Sequence, residues 1–388
     1  MKRILLLSIT LCFCSVYAQK NVLKEIERNN TVLSALRHQT EADKTGNKTG
    51  LNPDNPEVEF HYLWGNSDVG GNRTDWTVSQ SFDFPTAYHH KRKMADLKNQ
   101  QLELQYQIQR KDILLEASVV CIRLIYQNAL SKKLKEQFDL TQQIADSYQK
   151  RFDTGDVSLL DLNKAKYDLI DAQKDYLNAM TEKEFLLSEL IRLNGGIPLQ
   201  FNATRFPKLN LPLHFETWYN EQRDKNADLK LYRQDVTLSQ QNEKLQRSMN
   251  LPKISTGYMS ESVMTERFQG VMVGISVPLW ENKNTVKQIK SQTLASQEIQ
   301  KDAILKNFHQ TEALFKKAQN LLQTLSVIKE QQEMDNTVEL LKKSLTLGEI
   351  SLIDFILELG IYYNMQQNML EIEQEFHLTA AELMQWEL

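Results

Sequence analysis

Two heptapeptides, GDVSLLD at 155–161 and GEISLID at 348–354, are nearly identical and lie 193 residues apart (348 − 155). Other pairs keep this offset: Phe84-Pro85 corresponds to Val277-Pro278, and Glu189-Leu190 to Glu382-Leu383. A constant offset over such a span leaves no room for a net insertion. The sequence therefore predicts an internal duplication, and each heptapeptide marks the same place in one repeat.

Each heptapeptide is predicted to form a helix–turn–helix tip. A glycine opens both stretches and can adopt the left-handed conformation that ends a helix. The serine and aspartate that follow have the spacing of a capping box, which begins the next helix. Asp161 and Asp354 are thus expected to be helix caps, and the tip residues are Gly155, Asp156, Ser158, Gly348, Glu349 and Ser351.

Long helices are predicted before and after each tip. Segments of about 86–151 and 282–347 contain no Pro, and about 66 helical residues would extend about 100 Å. An apolar heptad follows each tip, and a 3.5-residue period is typical of coiled-coil helices. Its members in the first repeat are Leu162, Ala165, Leu169, Ala172, Tyr176, Ala179, Lys183, Leu186, Leu190 and Leu193.

Alternating segments precede each long helix and predict strands. Residues 58–64 read VEFHYLW and residues 76–84 read WTVSQSFDF, and 254–258 and 271–277 repeat the period of two. Each pair predicts a hairpin with one apolar face and one mostly polar face. A sheet packed on a soluble core shows the same alternation. Four strands are too few for a closed membrane barrel, so hairpins in a bilayer would need copies of the chain to pair their edges.

The first residues and the overall charge exclude several classes of protein. Lys2 and Arg3 precede an apolar run that ends in small residues at Ala18, which predicts a signal peptide over 1–18. Only Cys121 would then remain, so no internal disulfide is expected. Loss of the two basic residues moves the formal charge from −4 to −6, which argues against a nucleic-acid partner. No later segment is apolar enough to predict a transmembrane helix.

The predicted fold class is mainly α with a smaller β part, built from a duplicated repeat of helices and hairpins. Gly195, Gly196 and Pro198 interrupt the helical pattern between the repeats. The predicted order is a signal peptide (1–18), an N-terminal helix (19–50), a first β-hairpin (51–85), a first long helical hairpin (86–193), a connector (194–216), a helix (217–250), a second β-hairpin (251–279) and a second long helical hairpin (280–388).

This order resembles the TolC-like outer-membrane efflux protein family over essentially the whole chain after the signal. The resemblance is carried by the duplication, by Pro85 and Pro278 between hairpin and long helix, by the tips YQKRFDTGDVSLLDL and LKKSLTLGEISLIDF, and by LSELIRLNGG. It implies a homotrimer whose long coiled-coil helices form an α-barrel tunnel in the periplasm. Four strands per chain would contribute to a trimeric twelve-stranded transmembrane β-barrel in the bacterial outer membrane.

The resemblance also implies a function without chemistry. The chain would be the outer-membrane channel of a tripartite efflux system, with a periplasmic adaptor protein docking at the tips, an inner-membrane pump acting through it, and outer-membrane lipid around the barrel. No enzyme, cofactor or metal is expected. The alternatives are a type I protein-secretion duct of the same fold and, from another class, a non-conducting structural coiled-coil protein of the envelope.

In the family, carboxylates after the second turn narrow the tunnel entrance. Asp354 matches the first such position, but the second is Leu357, and the next carboxylate is Glu358. Asp354 and Glu358 lie on one helix face, and three copies would form a ring of up to six carboxylates that prefers cations. The alternative is that Asp354 only caps and Glu358 is only solvated. The arginine and tyrosine links of some relatives are replaced by Ile350 and Leu345.

The basic stretch HHKRK at 89–93 has two interpretations. A metal site formed by His89 and His90 is disfavoured, because adjacent helical residues diverge by about 100°. A basic collar beneath the lipid phosphates is favoured. Met259, Met264 and Met272 are a weak indication of copper export, since methionine is also a common filler of apolar space.

Overall fold

The structure, a computed structural model, describes residues 19–66, 71–264, 266–280, 282–331 and 336–388. The predicted signal peptide lies outside the described residues. The chain divides into two compact units. The first comprises the described residues up to Ser34, Gln109–Gln222 and Phe308–Leu388, and the second comprises Ala35–Ile108 and Arg223–Asn307.

Helices account for most of the described residues, and four strands complete the fold. The helices are α1 (19–29), α2 (Thr31–Gly46), α3 (Pro85–Asp153), α4 (Leu159–Leu193), α5 (Phe215–Arg223), α6 (Ala227–Met249), α7 (Thr285–Gln331), α8 (Thr337–Leu347) and α9 (Leu352–Leu383), with a 3-10 turn at Gln385–Glu387. The strands are β1 (Glu57–Leu63), β2 (Arg73–Phe82), β3 (Lys253–Val263) and β4 (Glu266–Ser276).

The four strands form one antiparallel sheet in the order β1-β2-β3-β4. Within the hairpins, Phe60 pairs with Trp76 and Tyr258 pairs with Val271. The hairpins of the two repeats also pair with each other, because Val78 lies opposite Tyr258. The sheet is therefore continuous across the duplication, with β1 and β4 at its edges.

The register places most of the apolar residues of the four strands on one face, as the alternation predicts, while Leu63, Met259, Val263, Phe268 and Met272 lie on the other. Residues directly opposite each other in an antiparallel pair share a face. One face carries Val58, Phe60, Tyr62, Trp76, Val78, Phe82, Ile254, Tyr258, Val271, Val273 and Ile275. The other carries mainly Ser, Thr, Gly and charged residues, including Glu59, Asp75, Arg73, Glu261 and Gly270.

Two segments predicted as single helices are each divided by an asparagine. Asn30 separates α1 from α2, and its Oδ1 accepts a hydrogen bond from the Leu33 backbone N–H at 2.9 Å. Asn226 begins α6 in the same way, accepting from Leu229 N–H at 3.1 Å. Asparagine is a preferred N-cap, and the Asn30 amide also donates to the Leu193 carbonyl at 2.8 Å. This contact, distant in sequence, fixes a helix start that local propensity alone does not reveal.

The core of the first unit surrounds the middle of α3. Val22 and Ile26 of α1, Leu186 and Leu190 of α4, and Phe201 of the connector pack against it. The buried residues of α3 in this cluster are Ala117, Val120, Cys121, Ile122, Leu124 and Ile125. Because neighbours cover several sides of α3, its buried surface is wider than the heptad seam that the spacing predicts.

By length and composition, α3 is the one helix among the described residues that could cross a membrane. However, 61% of its most apolar stretch is buried inside the protein. An apolar core helix meets the same criterion. The burial of α3 accounts for this composition.

Gly195 and Gly196 follow the end of α4 and differ in their surroundings. Substituting each of them therefore tests the packing of α1 on the end of α4. Both have positive φ, 68° and 79°. A Cβ on Gly195 would collide with the backbone carbonyl of Asn29, whereas one on Gly196 meets nothing within 4 Å. We expect Gly196→Ala to cost about 1–2 kcal/mol from the left-handed backbone alone. Gly195→Ala should cost about 1–3 kcal/mol more, because α1 must shift.

The measurement is the midpoint of thermal unfolding of the two variants in the same detergent. A lower midpoint for Gly195→Ala than for Gly196→Ala is expected. Equal midpoints would contradict close packing of α1 on the end of α4.

Candidate functional site

The two tips have the same backbone turn, as the repeated heptapeptides predict. Gly155 and Gly348 both adopt the left-handed conformation, with φ of 82° and 72°. Asp156 N–H donates to the Arg151 carbonyl at 2.8 Å, and Glu349 N–H donates to the Ser344 carbonyl at 2.9 Å. These bonds satisfy carbonyls left free at the ends of α3 and α8.

A serine caps the helix that follows each turn. Ser158 Oγ accepts from Asp161 N–H at 3.2 Å, and Ser351 Oγ accepts from Asp354 N–H at 3.1 Å. At the second tip the capping box is complete, because Asp354 Oδ2 also accepts from Ser351 N–H at 3.3 Å. Both aspartates are therefore caps, whatever else they do.

The two capping aspartates differ in their charge environment. Lys164 lies 3.5 Å from Asp161, and the hydrogen bond from Ser158, together with a smaller contribution from Lys164, lowers the pKa of Asp161 below its usual value. At the equivalent position of the second repeat, Lys164 is replaced by Leu357. Among the described residues, Asp354 has no cation within ion-pair distance. Its carboxylate is thus not paired with a cation in the part of the chain that the structure describes.

Asp354 and Glu358 both lie on the exposed side of α9. The buried side near the tip consists of Leu352, Phe355 and Leu359. Glu358 is exposed, whereas Ala165, the equivalent residue of the first repeat, is buried; the buried residue of α9 at this point is Leu359. Phe355 and Leu359 form an apolar cluster with residues of α3 and α8, and Ile144 and Ile356 contact both this cluster and the one that contains Ala165.

Ile350 and Leu345, which stand where some relatives have polar links, pack against the small apolar cluster around Phe355. Ile350 lies in the tip turn and Leu345 in the last turn of α8. These side chains hold the tip of the second repeat together through apolar contact. The chain therefore closes this end of the hairpin without a charged link at either position.

Sequence reasoning missed two features near the tips. A cavity of about 440 Å³ is lined by α3, α8 and α9 and contains Glu136, Lys342 and Tyr363; burial, with Glu136 nearby, raises the pKa of Tyr363 to about 12. On α4, burial and the neighbouring Asp171 raise the pKa of Asp168 to about 6. No sequence motif indicates either feature, because burial by helices distant in sequence contributes to each.

The basic stretch at 89–93 is partly used for packing in the second unit. Lys91 lies 2.8 Å from Asp83, and His90 Nδ1 lies 3.0 Å from the Gln241 amide nitrogen. Burial lowers the pKa of His90, with His89 and nearby lysines contributing. No cluster of three or more metal-ligating His, Cys, Asp or Glu residues occurs in the described part of the chain.

The capping box at the second tip predicts a local stability effect. We expect Ser351→Ala to destabilise the start of α9 by about 1 kcal/mol, since the Asp354 N–H loses its acceptor. Amide hydrogen exchange of the first turn of α9 should become about fivefold faster. Ser291→Ala, an exposed serine within α7, is the matched control. Equal acceleration at both sites would refute a special role for the cap.

Comparison with known proteins identifies the fold. No family model matches the chain, and no curated protein matches it in sequence. Among solved structures, the CmeC outer membrane channel of Campylobacter jejuni matches with a TM-score of 0.76, 15% identity, and coverage of 95% of this chain and 85% of that one.

Two other solved structures match over a similar extent. The outer membrane protein VceC of Vibrio cholerae gives a TM-score of 0.75 at 10% identity, covering 94% of this chain and 95% of that one. The MtrE outer membrane channel of Neisseria gonorrhoeae gives a TM-score of 0.70 at 14% identity, covering 95% of this chain and 88% of that one. The chain therefore has the fold of these outer-membrane proteins, the fold that its duplicated sequence predicts.

Proposed function

We propose that the chain is the outer-membrane channel of a tripartite efflux system, and that it conducts substrates passively from the periplasm to the exterior. Three copies would assemble, and their sheets would close into one twelve-stranded barrel in the outer membrane. The observation that carries this proposal is an apolar sheet face left uncovered in a chain of this fold.

The apolar face is too exposed for a soluble protein. In β4, Val271, Val273 and Ile275 are 86%, 73% and 67% exposed. Phe60 and Trp76, whose rings lie 4.6 Å apart, are also exposed. A contiguous apolar patch of this kind marks contact with a membrane or with another protein. Alternation of apolar and polar residues on a strand is the pattern of a membrane barrel with lipid outside and water inside.

The edges of the sheet supply the reason for assembly. Within the described strands, β1 and β4 each have a partner on one side only. Free backbone N–H and C=O groups cannot remain unpaired in lipid. Pairing β4 of one copy with β1 of the next satisfies both edges. Four strands from each of three copies then give a barrel with no free edge.

A second apolar surface supports the same assembly in the helical part. Leu160, Tyr167, Ile170 and Leu177 of α4 are all exposed in the single chain. Their spacings of seven, three and seven follow the heptad of a coiled coil. A neighbouring copy packed on this face would remove these side chains from water.

The tips would be the periplasmic end of the channel. Gly155, Asp156 and Ser158 in one tip, with Gly348, Glu349 and Ser351 in the other, would contact the adaptor protein. Asp354 and Glu358 would narrow the entrance, and six carboxylates in a trimer would favour cations. The carboxylate of Asp354, which is not paired with a cation among the described residues, supports this role.

The lipid-facing assignment predicts different outcomes at two adjacent residues. Val273 lies on the apolar face and Met272 on the other. We expect Val273→Lys to disfavour insertion by about 2–4 kcal/mol for each chain near the bilayer centre. The matched control Met272→Lys, at the same depth, should insert nearly as well as the unmodified chain. Insertion into phospholipid vesicles can be measured by protease protection.

If both lysine variants insert equally well, the apolar face does not contact lipid. A protein that extracts without detergent and conducts no current would instead be a structural scaffold.

The entrance assignment predicts a change in current. Replacing both Asp354 and Glu358 with Ala should raise single-channel conductance and weaken block by multivalent cations, because the charge at the constriction is lost. Glu298 and Asp302 are also exposed carboxylates four residues apart, on α7, and their double Ala variant is the control. Planar-bilayer recording makes the measurement. Unchanged conductance and block in the first variant would refute the entrance role, while the channel itself could still conduct.

A further inference from the structure

The second unit contains a cavity of about 450 Å³ where the end of α5, the start of α6 and the middle of α7 meet. Three cationic side chains line it: Arg223, Lys230 and Arg233. Leu229 and Ile304 form an apolar part of the wall. The cavity lies entirely within this unit and involves none of the tip or entrance residues.

These three cations make no ion pair with any described residue. Other cations on the same helices do: Arg247 lies 2.7 Å from Glu243 on α6, and Lys301 lies 2.7 Å from Glu298 on α7. Asp224 also lines the cavity, so three cations face a single carboxylate there. The chain as a whole has more acidic than basic residues. The lining of this cavity therefore differs in sign from the net charge of the chain.

The position of two of these cations is unfavourable for the helix that carries them. Asn226 caps α6, which places Lys230 and Arg233 in its first two turns. The N-terminal end of a helix carries a partial positive charge and disfavours cations. Asp228 in the first turn of α6 offsets part of this charge, and the three exposed cations of the cavity would favour a bound anion.

The cavity is too large for a single chloride or another monatomic ion. Guanidinium groups present paired N–H donors that match the oxygens of phosphoryl groups, and lysine adds a point charge. Gln300 of α7 adds a polar group to the lining. The apolar wall leaves room for a small uncharged portion of the ligand.

We propose that this cavity binds a compact anion that carries phosphoryl groups, either as a free molecule or as the headgroup of a lipid. Arg223, Lys230 and Arg233 hold the phosphoryl oxygens, and Leu229 and Ile304 contact the remainder. None of its lining residues is among the tip or entrance residues, and the proposal does not rest on the proposed function.

The test is isothermal titration of the full chain, in a non-ionic detergent at low salt, with inorganic pyrophosphate. One site per chain is expected. The double variant Arg223→Gln with Arg233→Gln should bind at least about tenfold more weakly, since it loses charge-assisted hydrogen bonds. The control replaces Arg247 and Lys301 with Gln, which removes the same charge from the same region outside the cavity, and should bind as the unmodified chain does.

Thermal unfolding separates loss of the site from loss of the fold. Pyrophosphate should raise the unfolding midpoint of the unmodified chain and of the control, but not that of the Arg223 and Arg233 variant. No binding to the unmodified chain, or equal binding to both double variants, would overturn the proposal.

Mixed micelles containing phosphatidylglycerol identify the source of the phosphoryl group. If phosphatidylglycerol competes with pyrophosphate, the ligand is a lipid headgroup. If phosphatidylglycerol does not compete, the ligand is a free anion. Single-channel currents of the Arg223 and Arg233 variant should equal those of the unmodified chain. A failed binding experiment would therefore leave the proposed channel intact, and a failed channel experiment would leave the anion site intact.

Discussion

A four-stranded antiparallel sheet with two free edges and one uncovered apolar face is stable by itself neither in water nor in lipid. Water does not favour contact with Val271, Val273 and Ile275, all largely exposed. Lipid accepts those side chains but cannot satisfy the free backbone groups of β1 and β4. The assembly proposed above, in which copies of the chain pair edge to edge and lipid covers the outer face, would solve both problems.

The duplication makes this sheet continuous within one chain. Each repeat supplies one hairpin, and β2 of the first pairs with β3 of the second along its whole length. The equal offset also gives the two tips the same turn, seen in the matching φ of Gly155 and Gly348. The two tips share a backbone conformation but differ in side chains. Any functional difference between the tips must therefore come from those side chains.

Local chemistry could be predicted from the sequence, whereas long-range packing could not. The turn glycines, the serine caps and the strand faces follow from spacing, because each depends on residues only a few positions apart. The break at Asn30 depends on the Leu193 carbonyl. The exposure of Glu358 depends on which helices contact Phe355 and Leu359. The cavity at Arg223 requires three helices to meet, and no periodicity in the sequence indicates it.

The observed capping role of Asp354 is compatible with its proposed entrance role, although sequence alone sets the two against each other. Ser351 holds Oδ2 through both its backbone N–H and its hydroxyl. A carboxylate fixed by two local hydrogen bonds loses rotamer freedom. In the first repeat Lys164 offsets the equivalent charge on Asp161, and Leu357 removes that cation from the second. The cap therefore positions a carboxylate in each repeat, paired with Lys164 in the first and without the equivalent cation in the second. The proposed entrance, which uses only the second tip, requires this difference between the repeats.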